Sequence, residues 1–315
     1  MELVLVSLVL LFLGGAVSVF YKDEPRASSA IGAGSCVAGC LLALIAALRV
    51  LFAGRPSTPI RFPSNVPLMD FVLHLDALSA VFLLPILGVS AIAAVYGSQY
   101  VLHYPPRAVA SIWFFFNLLV GNLILVICAH NAIMFLIAWE VASIAPFFLL
   151  AAQHDQPHVR RAAIRYVIAM HIGSAALIAA FLLLAGATNS FDFDALGQSP
   201  HHHSSAIFGL LLIGFGMKAG LVPLHVWLPE AHPAAPSHAS AVMSGAVINI
   251  GVYGIVRFLS LLGGGPLWWS VALIGIGLCT AVFGVLFALG QPELKRLLAY
   301  SSIENMGIIT ASFGL

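Results

Sequence analysis

The sequence predicts an all-α, polytopic membrane protein of about ten transmembrane helices. Apolar residues make up 61% of its 315 residues, charged residues only 8%, and the mean hydropathy is +1.04. This composition excludes a water-soluble domain. Hydrophobic runs of roughly 18 or more residues, which are long enough to cross a bilayer as helices, follow one another along nearly the whole chain.

These runs give the predicted spans in chain order. They lie at about 1–20, 28–53, 76–98, 109–129, 131–151, 162–185, 205–227, 238–260, 267–289 and 297–315. The first run lacks a basic leader and a small-residue cleavage site, which predicts a retained helix rather than a signal peptide. The proline-rich segment 54–70 is expected to be an extended external loop. Every cysteine lies in an apolar stretch, which predicts buried thiols: Cys36, Cys40, Cys128 and Cys279.

The basic residues predict the orientation in the membrane. Those after odd-numbered helices number eight: Lys22, Arg26, Arg107, Arg160, Arg161, Arg165, Lys295 and Arg296. Those after even-numbered helices number four: Arg49, Arg55, Arg61 and Arg257. Because basic loops stay in the cytoplasm, the N-terminus is expected on the outer side. Arg49 and Arg257 lie close to span ends and could instead be snorkelling anchors.

Ionisable side chains inside the spans are the candidate functional residues, because each costs on the order of 3 kcal/mol or more in hydrocarbon. Glu140 lies near the middle of the fifth span, beside Trp139 and Ser143, and is too deep to reach the headgroups. It is either a carboxyl that carries protons or a protonated carboxyl that hydrogen-bonds to a neighbouring helix for packing alone.

Lys218 lies in the seventh span, which glycines and prolines interrupt. Pro223 removes a backbone donor and frees the carbonyl of Ala219. A broken helix at membrane depth is typical of ion-handling sites in transporters. Burial favours a neutral amine and a nearby carboxylate favours a charged one, so a mobile glutamate could load and unload this lysine. The alternative is a lysine whose stem reaches the interface.

Three further polar residues lie within spans and leave two interpretations each. Glu304 could face a cavity or reach the headgroups. His171 could pass protons near neutral pH or be a hydrogen-bonded core histidine. Asn249 could join a water wire or tie two helices together.

Other chemistry is not expected in this chain. The sequence has no CxxC pair, phosphate-binding loop, haem motif, soluble catalytic motif or nucleic-acid-binding charge run. We therefore expect no cofactor and no metal site. His201–His203 could bind a metal, but their polar surroundings favour a solvated loop.

Two blocks resemble the proton-conducting membrane transporter family, which includes the antiporter-like subunits of complex I and of Mrp-type antiporters. They are KAGLVPLHVWLPEAHPAAPSHASAVMSGAVINIGVYGIVRF from Lys218 and LKRLLAYSSIENMGIIT from Leu294. Within that family, WLPEAHPAAPS, LLGGGPLWW and SSIENMG are most similar to the large membrane subunit of group 4 hydrogenases and formate hydrogenlyase.

The resemblance implies roles for individual residues in a proton relay. Glu140 matches the buried glutamate of the fifth helix, and Lys218 matches the broken-helix lysine with which it pairs. Lys295 matches a lysine that leads into the tenth helix. Asn249 stands where many relatives have a lysine, which leaves open a transfer through ordered water at this position. His171 and Glu304 complete the candidate relay.

The resemblance also implies a channel mouth around the break in the seventh helix. Pro223 marks the break, and His225, His232 and His238 surround the loop that follows it. His225 is expected to be a polar anchor there.

The function implied by the resemblance is proton translocation in a hydrogenase- or NADH:quinone oxidoreductase-like complex of the cell inner (cytoplasmic) membrane. Electron transfer would take place in partner membrane and peripheral subunits, so this chain would be a subunit without a redox site of its own. The alternatives are a cation/proton antiporter subunit, with Na⁺ as a possible second ion, and a structural membrane anchor with a degenerate channel.

The family is built from two inverted repeats of five helices. By that resemblance we expect N-terminal helices over 1–108, a first antiporter-like repeat over 109–260, and the start of a second, incomplete repeat over 261–315. The sequence is therefore expected to be a fragment of a longer subunit; the alternative is a split or decayed gene.

Overall fold

Helices make up most of the computed structural model, which describes residues 1–63, 70–198 and 204–315. The helices are α1 (Glu2–Phe20), α2 (Pro25–Ala53), α3 (Ala77–Tyr100), α4 (Pro106–Cys128), α5 (Ala132–Leu150), α6 (Pro157–Thr188), α7 (Phe193–Gly197), α8 (Ser204–Ala219), α9 (Leu228–Ala234), α10 (Ser237–Val242), α11 (Ile248–Leu261), α12 (Leu267–Leu289) and α13 (Leu294–Gly314). The strands β1 (Ile60–Phe62) and β2 (Phe71–Leu73) form an antiparallel pair in which Ile60 is opposite Leu73.

Within the described ranges, nine helical segments are long and apolar enough to cross a membrane, which confirms nine of the ten predicted spans. The tenth segment is the 21-residue helix α13, but it is not among those nine. Glu304, Asn305 and nearby serines make it more polar than the others. The predicted count of about ten therefore includes α13, which is long enough to cross a membrane but less apolar than the other nine segments.

Local sequence signals explain where several helices begin. Asp76 caps α3 by accepting a hydrogen bond from the Ser79 amide at 2.8 Å, and Asn131 caps α5 through the Ile133 amide at 2.9 Å. Prolines stand at the first turn of α2, α4 and α6, where no backbone donor is needed. The break between α4 and α5 falls at Ala129, where the sequence predicted it.

Burial separates central from peripheral helices. In the most apolar 18-residue stretch of α4, and in that of the span containing α10 and α11, 72% of the residues are buried, against 28% in α12. Cys36, Cys40 and Cys128 are buried as predicted, but Cys279 on the peripheral α12 is exposed. The prediction of a buried thiol was wrong for Cys279, because an apolar sequence does not distinguish a lipid-facing surface from the core.

The alternating helix directions define two ends of the bundle. The N-terminal end carries Met1, the β1–β2 pair, the α4–α5 turn and α7. The opposite end carries the turns after α1, α3, α5 and α12 and the loop after the broken helix. Part of the predicted external loop 54–70 forms β1 at the N-terminal end, and its residues 64–69 lie outside the described ranges, as do His201–His203.

Candidate functional site

The seventh span is interrupted, as predicted. Helix α8 ends at Ala219, Gly220 adopts a positive φ of 76°, and the chain resumes in a helical turn over Leu224–Trp227 that leads into α9. One amide of the interrupted backbone has a side-chain partner: the Val222 amide donates to Thr280 Oγ1 at 3.0 Å. The break lies at Pro223, where its helix-breaking character placed it.

Lys218 lies at the end of α8, just before this break, and is only 1% exposed. Its Nζ donates to Ser143 Oγ at 2.5 Å and to the Ala142 carbonyl at 3.3 Å, both on α5. It also lies 4.9 Å from the centre of the Trp139 ring, which contributes a cation–π contact. The side chain therefore does not reach an interface, and the alternative of a snorkelling lysine was wrong.

Glu140 lies on the same helix as the partners of Lys218, three residues before Ser143. Among the described residues no ion pair joins Glu140 to Lys218, so the lysine is held by neutral oxygens instead. The Glu140 side chain is 29% exposed and lies 3.9 Å from His171 Nε2. It is thus at the edge of the bundle, less enclosed than its central place in the span predicted.

His171 is on the outer surface of α6 rather than in the core. Its side chain is 56% exposed, and its Nδ1 lies 2.8 Å from the Val167 carbonyl of the same helix. The alternative of a core histidine was therefore wrong. The structure brings His171 and Glu140 together on the surface between α5 and α6.

A second group of titratable side chains lies at the far end of the broken helix. His232 and His238 are 2% and 1% exposed, and Lys295 Nζ donates to the Ala235 carbonyl at 2.8 Å between them. His232 Nδ1 lies 2.9 Å from Ser240 Oγ. Its Nε2 and both ring nitrogens of His238 are buried without a hydrogen-bond partner in the described part of the chain. We call His232, His238 and Lys295 the histidine cluster.

His238 is surrounded by aromatic rings. Those of Tyr100, Trp113 and Phe116 lie with their centroids 5.9, 5.8 and 5.1 Å from its own. His225 lies apart from it, half-buried with its ring 5.1 Å from that of Phe283. His225 is near the break as predicted, yet its Nδ1 lacks a partner in the described residues, so it is not held as a hydrogen-bonded anchor through that atom.

Asn249 does not tie two helices together. Its Nδ2 donates to the Gly245 carbonyl at 2.7 Å, within its own helical segment, and no other described residue hydrogen-bonds to its side chain. The preceding turn is a π-helix over Met243–Val247, where Ser244 Oγ lies 2.6 Å from Ser302 Oγ of α13. These two hydroxyls, which sequence reasoning missed, make an interhelical contact in the turn that precedes Asn249.

Glu304 lies on α13 one turn beyond Tyr300, partly buried. Its backbone packs against α12: a Cβ at Gly284 would lie 2.6 Å from the Glu304 amide nitrogen. Its carboxylate forms no hydrogen bond or ion pair with a described residue.

An ion pair near the N-terminal end was also missed. Arg257 is 9% exposed and binds Asp76 through both terminal nitrogens, at 2.5 and 2.8 Å. It also donates to Ser79 Oγ at 2.9 Å and to the Tyr253 hydroxyl at 3.0 Å. The proposal of a snorkelling anchor was therefore wrong for Arg257. The spacing of Tyr253 and Arg257, which places both on one helix face, was the available signal.

Burial acts to raise the pKa of Asp76, but the hydrogen bonds and charge of Arg257, together with the bonds from Ser79, outweigh it and hold that pKa well below its usual range. The pair is thus charged throughout the physiological range. In the described residues, no group of three or more His, Cys, Asp or Glu side chains has the geometry to hold a metal ion.

Comparison with known proteins identifies the family. The family described as NADH:quinone oxidoreductase/Mrp antiporter, TM, matches residues 129–315. The chain belongs to this family. Its match begins just before α5 and includes both Lys218 and the histidine cluster.

Curated relatives give the same result over a longer stretch. Hydrogenase-4 component B of Escherichia coli (strain K12) is 36% identical over 321 residues, which cover 100% of this chain and 47% of that protein. A probable K(+)/H(+) antiporter protein of Rhizobium meliloti (strain 1021) is 29% identical over 322 residues, covering 100% of this chain and 32% of that protein. The chain spans less than half the length of these two relatives.

A solved structure shares the fold. A chain in the structure of the Mrp complex from Dietzia sp. DQ12-45-1b superimposes with a TM-score of 0.86 and 25% identity, over 99% of this chain and 34% of that one. The protein is therefore an antiporter-like membrane chain whose relatives are subunits of larger membrane complexes.

Proposed function

We propose that this chain moves protons across the membrane as part of a hydrogenase- or NADH:quinone oxidoreductase-like complex. The observation that carries the proposal is the placement of Lys218: an almost fully buried amine, held by neutral oxygens, beside the helix α5 that also bears Glu140. A buried cation without a carboxylate partner is costly, so selection for packing alone does not favour it.

The first step of the proposed relay is an exchange between Glu140 and Lys218. A carboxylate that moves toward an amine favours the protonated amine, and one that moves away favours its release of the proton. Lys218 Nζ donates to Ser143 Oγ, and Ser143 is one helical turn from Glu140. A rotamer change of either the lysine or the glutamate side chain therefore alters the distance between the amine and the carboxylate. His171, beside Glu140, is placed to supply protons to this carboxylate.

The second step leads along the broken helix to the histidine cluster. His232 and His238 have buried ring nitrogens without partners in the described part of the chain, and these can bind water or a proton in transit. Asn249 cannot take up a proton as a lysine would. We propose that transfer at that position passes through water ordered by Asn249 and by the Ser244 and Ser302 hydroxyls. Glu304, on α13, would receive protons beyond it.

The proposed setting is a multi-subunit complex in the bacterial inner membrane, with electron transfer in partner subunits. The basic residues at the ends of α1, α3, α5 and α12 favour the opposite end as the cytoplasmic end. The N-terminus would then be outside. Arg257 is buried within the bundle and does not count as an outer loop residue, which leaves Arg49, Arg55 and Arg61 and supports this assignment.

A second candidate is cation/proton antiport. It is favoured by the match of the whole chain to the probable K(+)/H(+) antiporter protein and by the fold shared with a chain of the Mrp complex. Proton movement that requires Na⁺ or K⁺ on the opposite side of the membrane would select this alternative. Proton movement driven by an electron donor, and independent of either cation, would select the first.

Glu140→Gln tests the proposal. In inverted membrane vesicles that contain the whole complex, the variant is expected to lower proton uptake roughly tenfold or more, because the amide cannot exchange a proton with Lys218. Electron transfer in the partner subunits should continue. Glu24→Gln, an exposed carboxylate in the α1–α2 turn, is the matched control and should pump normally. Normal pumping by Glu140→Gln would contradict the relay and favour a structural anchor.

A further inference from the structure

One face of α6 lines two adjoining cavities at the opposite end of the bundle. The first has a volume of about 360 Å³ and lies between α6, α9 and the start of α13. Its charged and titratable lining residues are His158, Arg161, Arg165, Glu230, Glu293 and Arg296. The α6 members are spaced by three and four residues, which places them on one helix face.

The second cavity continues along the same face toward the middle of the membrane. It has a volume of about 350 Å³, and Arg165 lines both cavities. Beyond Arg165 its lining is apolar, with Ile168 and Ile172 of α6 facing Leu224 and Val226 after the helix break. A polar cavity therefore leads directly into an apolar groove.

Two of the three arginines that line the polar cavity have no charged partner among the described residues. Arg165 forms an ion pair with Glu230. Arg161 and Arg296 are exposed and form neither a hydrogen bond nor an ion pair with any residue in the described ranges; the same holds for Glu293. These three unpaired groups sum to one positive charge, which one phosphodiester would neutralise. Guanidinium groups bind phosphate oxygens through two parallel hydrogen bonds.

The dimensions match one membrane leaflet. His158 and Ile172 are fourteen helical residues apart, or about 21 Å at the rise of an α-helix. Half of a bilayer with its headgroups is about 20–22 Å thick. A headgroup in the polar cavity thus places its acyl chain in the groove. We propose that the two cavities form a binding site for one anionic phospholipid, with its phosphate between Arg161 and Arg296 and an acyl chain along Ile168 and Ile172.

The test is lipid binding to the purified, delipidated protein in mild detergent, measured by native mass spectrometry with phosphatidylglycerol or phosphatidylcholine. The wild type should hold one phosphatidylglycerol in preference to phosphatidylcholine. The double variant Arg161→Gln/Arg296→Gln should bind it roughly 25-fold more weakly, from the usual contribution of each arginine at a membrane surface. Arg160→Gln removes a neighbouring arginine that does not line the cavity, and should bind like the wild type.

A second variant tests the acyl groove. Ala169→Trp fills the groove and should also weaken phosphatidylglycerol binding, whereas Ile178→Trp, an exposed position on another face of α6 that lines neither cavity, should not. Glycerol phosphate, which carries the headgroup charge without acyl chains, should compete poorly. Equal binding by the wild type and the double arginine variant, equal binding of the two lipids, or full competition by glycerol phosphate would overturn the proposal.

Discussion

The hydroxyl of Ser143 is the closest partner of Lys218, and the proposed relay gives it a role. Ser143 Oγ accepts its closest hydrogen bond, at 2.5 Å, and in turn donates to the Trp139 carbonyl at 2.9 Å. A hydrogen bond to a charged group contributes about 1.5–3 kcal/mol. Ser143 therefore stabilises the position in which the lysine is separated from Glu140.

Ser143→Ala should slow proton movement without abolishing it. Loss of one hydrogen bond to the ammonium group lowers the population of the position separated from Glu140 roughly tenfold, and proton transfer that passes through this position slows in proportion. Proton uptake by membrane vesicles measures the effect. Ser174→Ala is the control, because Ser174 is a buried hydroxyl of α6 that has no hydrogen-bond partner in the described residues. Equal rates in the two variants would contradict the role of Ser143.

The Asp76–Arg257 pair makes a different prediction, about stability. Asp76→Asn should lower the free energy of unfolding by about 3 kcal/mol at pH 7, because it leaves the Arg257 guanidinium without its charged partner. Since the folded-state pKa of Asp76 is depressed, this stabilisation is fully present above about pH 4 and is lost as the pH falls further.

Thermal unfolding in detergent at pH 7 and pH 3 measures this dependence. The difference between wild type and Asp76→Asn should shrink at the lower pH, while Asp23→Asn, in an exposed turn, should match the wild type at both. A difference of the same size at the two pH values would show that the pair does not act through charge.

At the scale of residues, the sequence predicted which groups are buried in the membrane better than it predicted their partners. Depth in an apolar run indicated Lys218 and Glu140, because a charge there is costly. Lys218 is buried, whereas Glu140 lies at the edge of the bundle. Ser143 and Ser302 carried no comparable signal, since a serine in an apolar helix is inexpensive. The core interpretation of His171 and the anchor interpretation of Arg257 were wrong, because apolar periodicity does not show whether a helix face meets lipid or another helix.

Among the elements, α12 and α13 form a very close pair. A Cβ on Gly307 would lie 2.4 Å from the Ala281 amide nitrogen, and one on Gly277 would lie 2.5 Å from that of Ala311. Small residues let two backbones approach in the membrane, where packing rather than hydrophobicity drives helix association. This contact holds the polar helix α13, with Glu304, against an apolar neighbour.

Gly307→Ala should separate the two helices and destabilise the protein by about 1–3 kcal/mol, the usual cost of overpacking. Gly275→Ala adds the same methyl group on α12 at a position with no atom within 4 Å. Thermal unfolding in detergent should show a loss for the first variant and none for the second. Equal melting temperatures would contradict the close contact.

The sequence predicted the break in the seventh span directly. Pro223 and the glycines before it indicated the interruption after Ala219, because proline removes a backbone donor and glycine permits the positive φ of Gly220. The π-helical turn at Met243–Val247 has no such residue signal and was not predicted. Asn249 follows this turn and bonds within its own segment, whereas one of its two sequence-based interpretations was a bond to another helix.

For the whole molecule, membrane insertion and family membership followed from composition and two sequence blocks, and the matched family and shared fold confirm both. The division into segments 1–108, 109–260 and 261–315 stays a prediction. The family match starts at residue 129, after the beginning of the predicted first repeat. Long-range pairs such as Asp76–Arg257, 181 residues apart, require the tertiary fold and could not be predicted.

The central claim is that protons cross the membrane through Lys218. The most direct measurement is the ratio of protons taken up to electrons transferred, in vesicles that contain the whole complex with Lys218→Met. The relay predicts a ratio reduced by the full contribution of this subunit, with Lys22→Met, an exposed lysine in the α1–α2 turn, unchanged. An unchanged ratio in Lys218→Met would contradict the claim.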